Sequence, residues 1–207
     1  MKKYFTIFAL GMMALSTAAF AGTTAVNTNT VSPTLQISAN VQSAVQLTLS
    51  TGTAAVTHCT VVPTGGTPDY TMDFGTVDAL GINAGNCNKF APTTPGTTNA
   101  IYWSDYNLNP VFTSQTTSNN TITAQVTADF GPPNNIFIVR DSANSSTVPA
   151  SAAAFTAVST GTPDTIVTNA ASGSTQTRFI GVAVKPDNGA GVTGAKSATV
   201  TFTLTVN

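Results

Sequence analysis

Residues 34–50 read TLQISANVQSAVQLTLS, and their parity constrains the fold more than any other feature of the chain. The odd positions are Leu35, Ile37, Ala39, Val41, Ser43, Val45, Leu47 and Leu49; the even positions are polar apart from Ala44. Side chains alternate faces along a strand, so the stretch makes one apolar face and one wet face. A period of 3.6 would scatter the same apolar residues around a helix axis. The stretch is also overlong. At about 3.3 Å per residue it would span roughly 55 Å, about three times an ordinary strand. The expectation is two strands parted at Ser43. Residues 45–49 form the domain's own first strand, and residues 35–41 form an extension that something else must cover.

The same alternation returns at the end of the chain. Val200, Phe202, Leu204 and Val206 alternate with threonines, mirroring the first strand. Between the two ends, residues 54–62, 70–77, 121–130, 136–140, 155–158, 165–168 and 178–184 read as strands separated by Gly, Pro and Asn turns. Residues 136–140 (IFIVR) are apolar on both faces, as in a central strand. The long loop of residues 78–98 and the polar loop of residues 141–150 complete the pattern, which predicts an all-β chain built as a two-sheet antiparallel sandwich.

Composition agrees. Charged residues make up 7% of the chain, against about 25% in an average soluble domain. Every acid is Asp; Thr, Ser, Asn and Gln do the wetting. No basic footprint for nucleic acid is present. The first residues, MKKYFTIFALGMMALSTAAFA, have the charged start, apolar run and A-x-A ending of a secretory signal peptide, residues 1–21. Residues 22–42 then form the extension and residues 43–207 one domain. The apolar run is short of the roughly 20 residues of a membrane span, so the mature chain is expected to leave the cytoplasm without a transmembrane helix.

In an exported protein the two cysteines, Cys59 and Cys87, point to one disulfide. The alternative is a metal site with the adjacent His58, but that set lacks a fourth ligand and a CxxC spacing. Chemistry for catalysis is sparse. There is one histidine, no GxSxG elbow, no HExxH and no phosphate-binding glycine loop. Asp73 and Asp78 read as turn-capping carboxylates more naturally than as an acid–base pair. No cofactor and no enzymatic activity are expected. Tyr102, Trp103 and Tyr106, in the aromatic run of residues 101–112, admit two readings: a sugar-stacking platform of a glycan-binding adhesin, or core and corner residues.

Assembly is better motivated. Monomeric proteins guard sheet edges with Lys, Pro or inward charges. Residues 34–50 and 197–207 contain none of these. Strand addition between copies is a known mode of association, in which main-chain bonds supply affinity and alternate side-chain pockets supply register.

The order of these signals resembles the spore coat U and archaic chaperone–usher pilin subunits. An amphipathic first strand (ISANVQSAVQLTL) is followed by Asp73-Phe74-Gly75-Thr76-Val77, then by IFIVRDSANSSTV, then by Arg178-Phe179-Ile180-Gly181-Val182. Gly194 precedes an alternating last strand, although Val206 stands where classical pilins favour tyrosine. The resemblance implies an immunoglobulin-like sandwich lacking one strand, a periplasmic chaperone, an outer-membrane usher and polymerisation by donor-strand exchange. It assigns Leu35, Ile37, Ala39 and Val41 to the donor strand and Val200, Phe202, Leu204 and Val206 to the groove that receives a neighbour's donor. The expected product is an extracellular filament or surface coat.

Overall fold

The computed structural model describes residues 36–39, 44–113, 119–132, 134–186 and 194–207. Residues 1–21, together with Leu35, Val41 and Ser43, lie outside the described residues. The chain divides into two units, Met1–Val41 and Gln42–Asn207. In the first, the described residues 36–39 carry no regular structure and are exposed. Ile37, at 84% exposure, is more exposed than any other large hydrophobic residue among those described.

The second unit is all-β, with strands β1 (Val45–Thr51), β2 (Val61–Pro63), β3 (Tyr70–Met72), β4 (Asn88–Phe90), β5 (Ala100–Phe112), β6 (Thr121–Ala128), β7 (Ile136–Asp141), β8 (Phe155–Ala157), β9 (Asp164–Thr168), β10 (Gln176–Val184) and β11 (Thr199–Thr205). All pairings are antiparallel. A six-stranded sheet runs β1-β5-β10-β7-β8, with β4 added to β5. A three-stranded sheet runs β11-β6-β9. The hairpin β2-β3 belongs to neither. This arrangement is compatible with a sandwich, because one core cluster draws on both sheets: Tyr106, Leu108, Ile138 and Val182 from the larger, and Ile122, Ala124, Val126, Ile166 and Val167 from the smaller.

The centre of the larger sheet is β5, which contains the aromatic run of residues 101–112. It is a strand because β1 and β10 pair with it on opposite sides. Its residues from Ala100 to Leu108 are buried on both faces. Pro110 is tolerated because the β10 register stops at Leu108, so no β10 acceptor stands opposite its missing N–H. Glycine at position 181 lets β10 approach β5 closely: a Cβ there would lie 2.5 Å from the Tyr102 carbonyl oxygen.

The second face of β5 also needs cover. Trp103 packs among Phe90 (ring centroids 5.5 Å), Phe179 (5.8 Å) and Phe155 (5.9 Å), with Ala54, Val56 and Ala152 over the same cluster. This corrects one expectation and decides between the two readings of the aromatic run. Residues 54–60 are not a strand; the chain pairs as β2 from Val61 onward. Side chains from the sheet take the backbone groups that a strand partner would have used. Asp105 Oδ2 accepts the Ala54 N–H (2.7 Å), Asn88 brackets Thr57, and Ser104 Oγ accepts the Cys59 N–H (2.9 Å). Of the two readings of Tyr102, Trp103 and Tyr106, their burial agrees with core residues and not with an exposed platform. Tyr102, Trp103 and Tyr106 are 1%, 4% and 2% exposed, and the period of two sends Trp103 to the face opposite the other two.

Candidate functional site

The two sheets meet differently along their two sides. On one side the chain itself closes the gap. β8 pairs with β7 of the larger sheet. The chain then turns through Thr160-Gly161-Thr162-Pro163, and β9 pairs with β6 of the smaller sheet. Between them, Val126 N–H donates to Ser159 O (2.9 Å) and Val158 N–H to Ile138 O (3.0 Å). On the other side β1 and β11 each end a sheet, and they do not pair with each other.

A groove of about 390 Å³ opens between these two edges. Its apolar wall from β1 is Leu47 and Leu49, and from β11 Val200 and Phe202. Tyr106, Ile138 and Ile180 form part of its lining from within the larger sheet. Alternation explains why these positions point inward: Val200, Phe202 and Leu204 are half-buried while Thr199, Thr201, Thr203 and Thr205 are exposed. The Tyr106 and Phe202 rings sit 5.4 Å apart, joining the two sheets across the groove. Burial pushes the Tyr106 hydroxyl far above its ordinary value, against the opposing pull of Arg178 and Arg140, so it stays neutral. Among the described residues lining the groove, Asp69 is the one ionisable acid or base besides Tyr106 and Tyr70.

The expected groove residues therefore divide. Val200 and Phe202 line it, Leu204 packs against the same core farther along, and Val206 is half-buried beyond the end of β11. The third wall was not anticipated. The β2-β3 hairpin lies over the same opening and contributes Pro68, Tyr70 and Met72, with Phe74 just beyond it. The shared face of Tyr70, Met72 and Phe74 was legible as alternation; its placement at the groove was not.

The hairpin's roots are fixed by the cysteines. Cys59 and Cys87 form a disulfide, with Cα atoms 5.2 Å apart. His58 turns away from them: its Nδ1 lies 2.6 Å from Oδ1 of Asp105, which is fully buried. The alternative of a His58–Cys59–Cys87 metal set is thereby replaced by a disulfide and a histidine–aspartate pair. Among the described residues no group of three or more His, Cys, Asp or Glu side chains is placed to hold a metal. A Cβ at Gly52 would collide with the Asp105 carboxylate, so glycine there lets the chain pass over the buried acid.

The two loop carboxylates act on the backbone. Asp73 Oδ1 accepts the Gly75 N–H at 2.8 Å. Asp78 accepts from Leu80, Ile82 and Asn83 N–H and from the Tyr102 hydroxyl, at 2.8, 3.1, 2.6 and 3.2 Å. Burial pushes the Asp78 carboxyl up, but these bonds outweigh it and hold the group below its ordinary value. Lys89 Nζ donates to the carbonyls of Gly81 (2.7 Å), Asn83 (2.9 Å) and Ile82 (3.3 Å), fastening the same loop.

No described helix is long and apolar enough to cross a membrane, and the disulfide is compatible with secretion. Comparison with protein-family models, curated proteins and solved structures found no match.

Proposed function

We propose that this chain is a structural subunit of an extracellular bacterial filament or surface coat, which polymerises by donating its N-terminal extension to the groove of a neighbouring copy. The observation that carries the reading is the open side of the unit: two uncharged strands that each end a sheet, without a strand partner on the outer edge among the described residues, and an apolar groove of about 390 Å³ between them. Such edges expose unpaired N–H and C=O groups and act as templates for another strand. The extension carries the complementary pattern, with Leu35, Ile37, Ala39 and Val41 on one face and no charge.

Burying Leu35, Ile37 and Val41 contributes on the order of 1.5–3 kcal/mol each before the ordering of the segment is subtracted. The total is comparable to the stability of a whole domain, about 5–15 kcal/mol. On this reading the unit is an immunoglobulin-like sandwich of the spore coat U and archaic pilin kind, completed by a strand from outside. A subunit with its groove empty needs cover until it polymerises, which is the role of a periplasmic chaperone, with an outer-membrane usher as the exit. Burial of Tyr102, Trp103 and Tyr106 removes the basis for a glycan platform.

The test is a variant with Leu35→Asp, Ile37→Asp and Val41→Asp together, compared with the natural chain by electron microscopy of the secreted material. The natural chain gives regular polymers, and the variant gives folded monomers. Polymers of unchanged length from the variant would overturn the reading.

A further inference from the structure

The β2-β3 hairpin covers the side of the unit at which a strand would have to enter. It pairs with neither main sheet, and Tyr70 and Met72 rest against the apolar core while lining the groove. Its two roots are held firmly. The disulfide joins Cys59 to Cys87, Val61 N–H donates to Thr51 Oγ1 (3.0 Å), and Asn86 N–H donates to Phe74 O (3.0 Å). Gly75 takes a left-handed φ of 71° there, where a Cβ would lie 2.5 Å from Asn86 Oδ1.

The tip is held differently. Among the described residues, the hydrogen bonds of residues 62–72 stay within the hairpin. They are the β2-β3 ladder, Thr64 N–H to Asp69 O (2.9 Å), Gly66 N–H to Thr64 Oγ1 (3.2 Å), and the Thr64 hydroxyl to Pro68 O. A Cβ at Gly65 or Gly66 would meet open space. The hairpin is thus a unit braced internally and pinned at its base, with residues 62–69 exposed and its hold on the body coming from Val61, Tyr70 and Met72. Regions with few contacts to the body open at low free energy, and a two-stranded hairpin is marginal by itself.

We infer that the hairpin is a hinged flap: it rests on the apolar floor when the groove is empty and lifts from its tip to admit a strand. Its hold on Tyr70 and Met72 then sets how fast a strand can enter. This gate rests on the strand-donation reading, and it adds that entry is limited by the receiving subunit. The hairpin shields apolar surface that an empty groove would otherwise expose to water.

The experiment uses the full mature chain carrying Leu35→Asp, Ile37→Asp and Val41→Asp, so that its own extension cannot fill a groove. Amide hydrogen exchange is followed with and without a synthetic peptide of residues 31–44 in the natural sequence. Without peptide, amides of residues 62–72 exchange at least ~100-fold faster than those of β5 and β10. Adding Met72→Ala to the variant speeds peptide association several-fold. Hairpin amides as protected as those of β5 would overturn the flap. Equal association rates with and without Met72→Ala would overturn the gate while leaving strand donation standing. A hairpin that exchanges fast in a chain that takes up no peptide would overturn strand donation, and the gate's role with it.

Discussion

The closed and open sides of the unit are made from the same kind of strand and differ in what the chain does next. On the closed side, residues 155–168 leave one sheet and join the other, so each edge receives main-chain partners. Polar side chains then lock the crossing: Arg140 Nη2 lies 3.4 Å from Asp164 Oδ1, and Asp164 Oδ2 accepts the Ser159 N–H at 2.9 Å. Arg178 Nε reaches Ile166 O at 2.9 Å, and burial lowers its pKa from the ordinary arginine value. On the open side no such crossing exists among the described residues. β1 and β11 face each other with apolar side chains between them and a hairpin over the gap. Alternation alone thus does not decide whether an edge is closed; the connection that follows it does.

The two sides differ most in the core beneath them. Ile166, 3% exposed on β9, is expected to cost roughly 2–5 kcal/mol when replaced by Ala, because a cavity opens where little can collapse. Leu49→Ala on the open side should cost about 1 kcal/mol in a monomeric chain, because that side chain already borders the groove. Urea unfolding of the two variants in the donor-blocked chain checks this; equal costs would mean that the open side is as well packed as the closed one.

Removing the disulfide comes next. Cys59→Ala with Cys87→Ala is expected to lower stability by about 3–4 kcal/mol, from the loop of 28 residues that the bond closes. Hydrogen exchange should then rise at the hairpin roots on the open side before it rises in β9. His58→Ala is smaller, about 1–3 kcal/mol, since buried Asp105 loses one donor and keeps the Ala54 N–H. Its loosening should be confined to residues 52–60, which exchange mapping resolves.

The smallest effect is on the closed side and depends on pH. Burial pushes the Asp164 carboxyl up, but Ser159 and Arg140 outweigh it and hold the group below its ordinary value. A lowered folded pKa contributes stability above the unfolded value, about 3.9, and that stability is lost as pH falls through the folded value. Asp164→Asn should therefore flatten the acid limb of a plot of urea midpoint against pH, by a modest amount because the carboxylate keeps partial contact with water. An unchanged acid limb would remove Asp164 from the lock.

Much of this fold is legible as alternation. Residues 121–130 and the last strand read as strands with one apolar face, and β6 and β11 carry that face inward; residues 178–184 read as a strand and form one, buried on both faces. Two cysteines in a chain that reads as exported point to one bond, and it is formed. Val200 and Phe202 point inward by the same alternation and line the groove. Other features leave no local mark. Asp105 looks like a surface residue in an aromatic run, yet it is fully buried because His58, distant in sequence, comes to it. Residues 88–90 lie in an apparent loop and become β4 because β5 offers its edge there.

The chain's local chemistry, through residue period and turn residues, was enough to set an all-β fold, the inward face of each amphipathic strand and the cysteine bond. Those are properties of neighbouring residues, and physics at short range acts on them directly. Packing decided the rest: that β5 is buried on both faces, that residues 155–168 close one side, and that the hairpin covers the other. Burial on a second face and closure of an edge depend on what arrives from elsewhere in the chain. A strand with one apolar face reads the same whether its edge is paired, capped or left open.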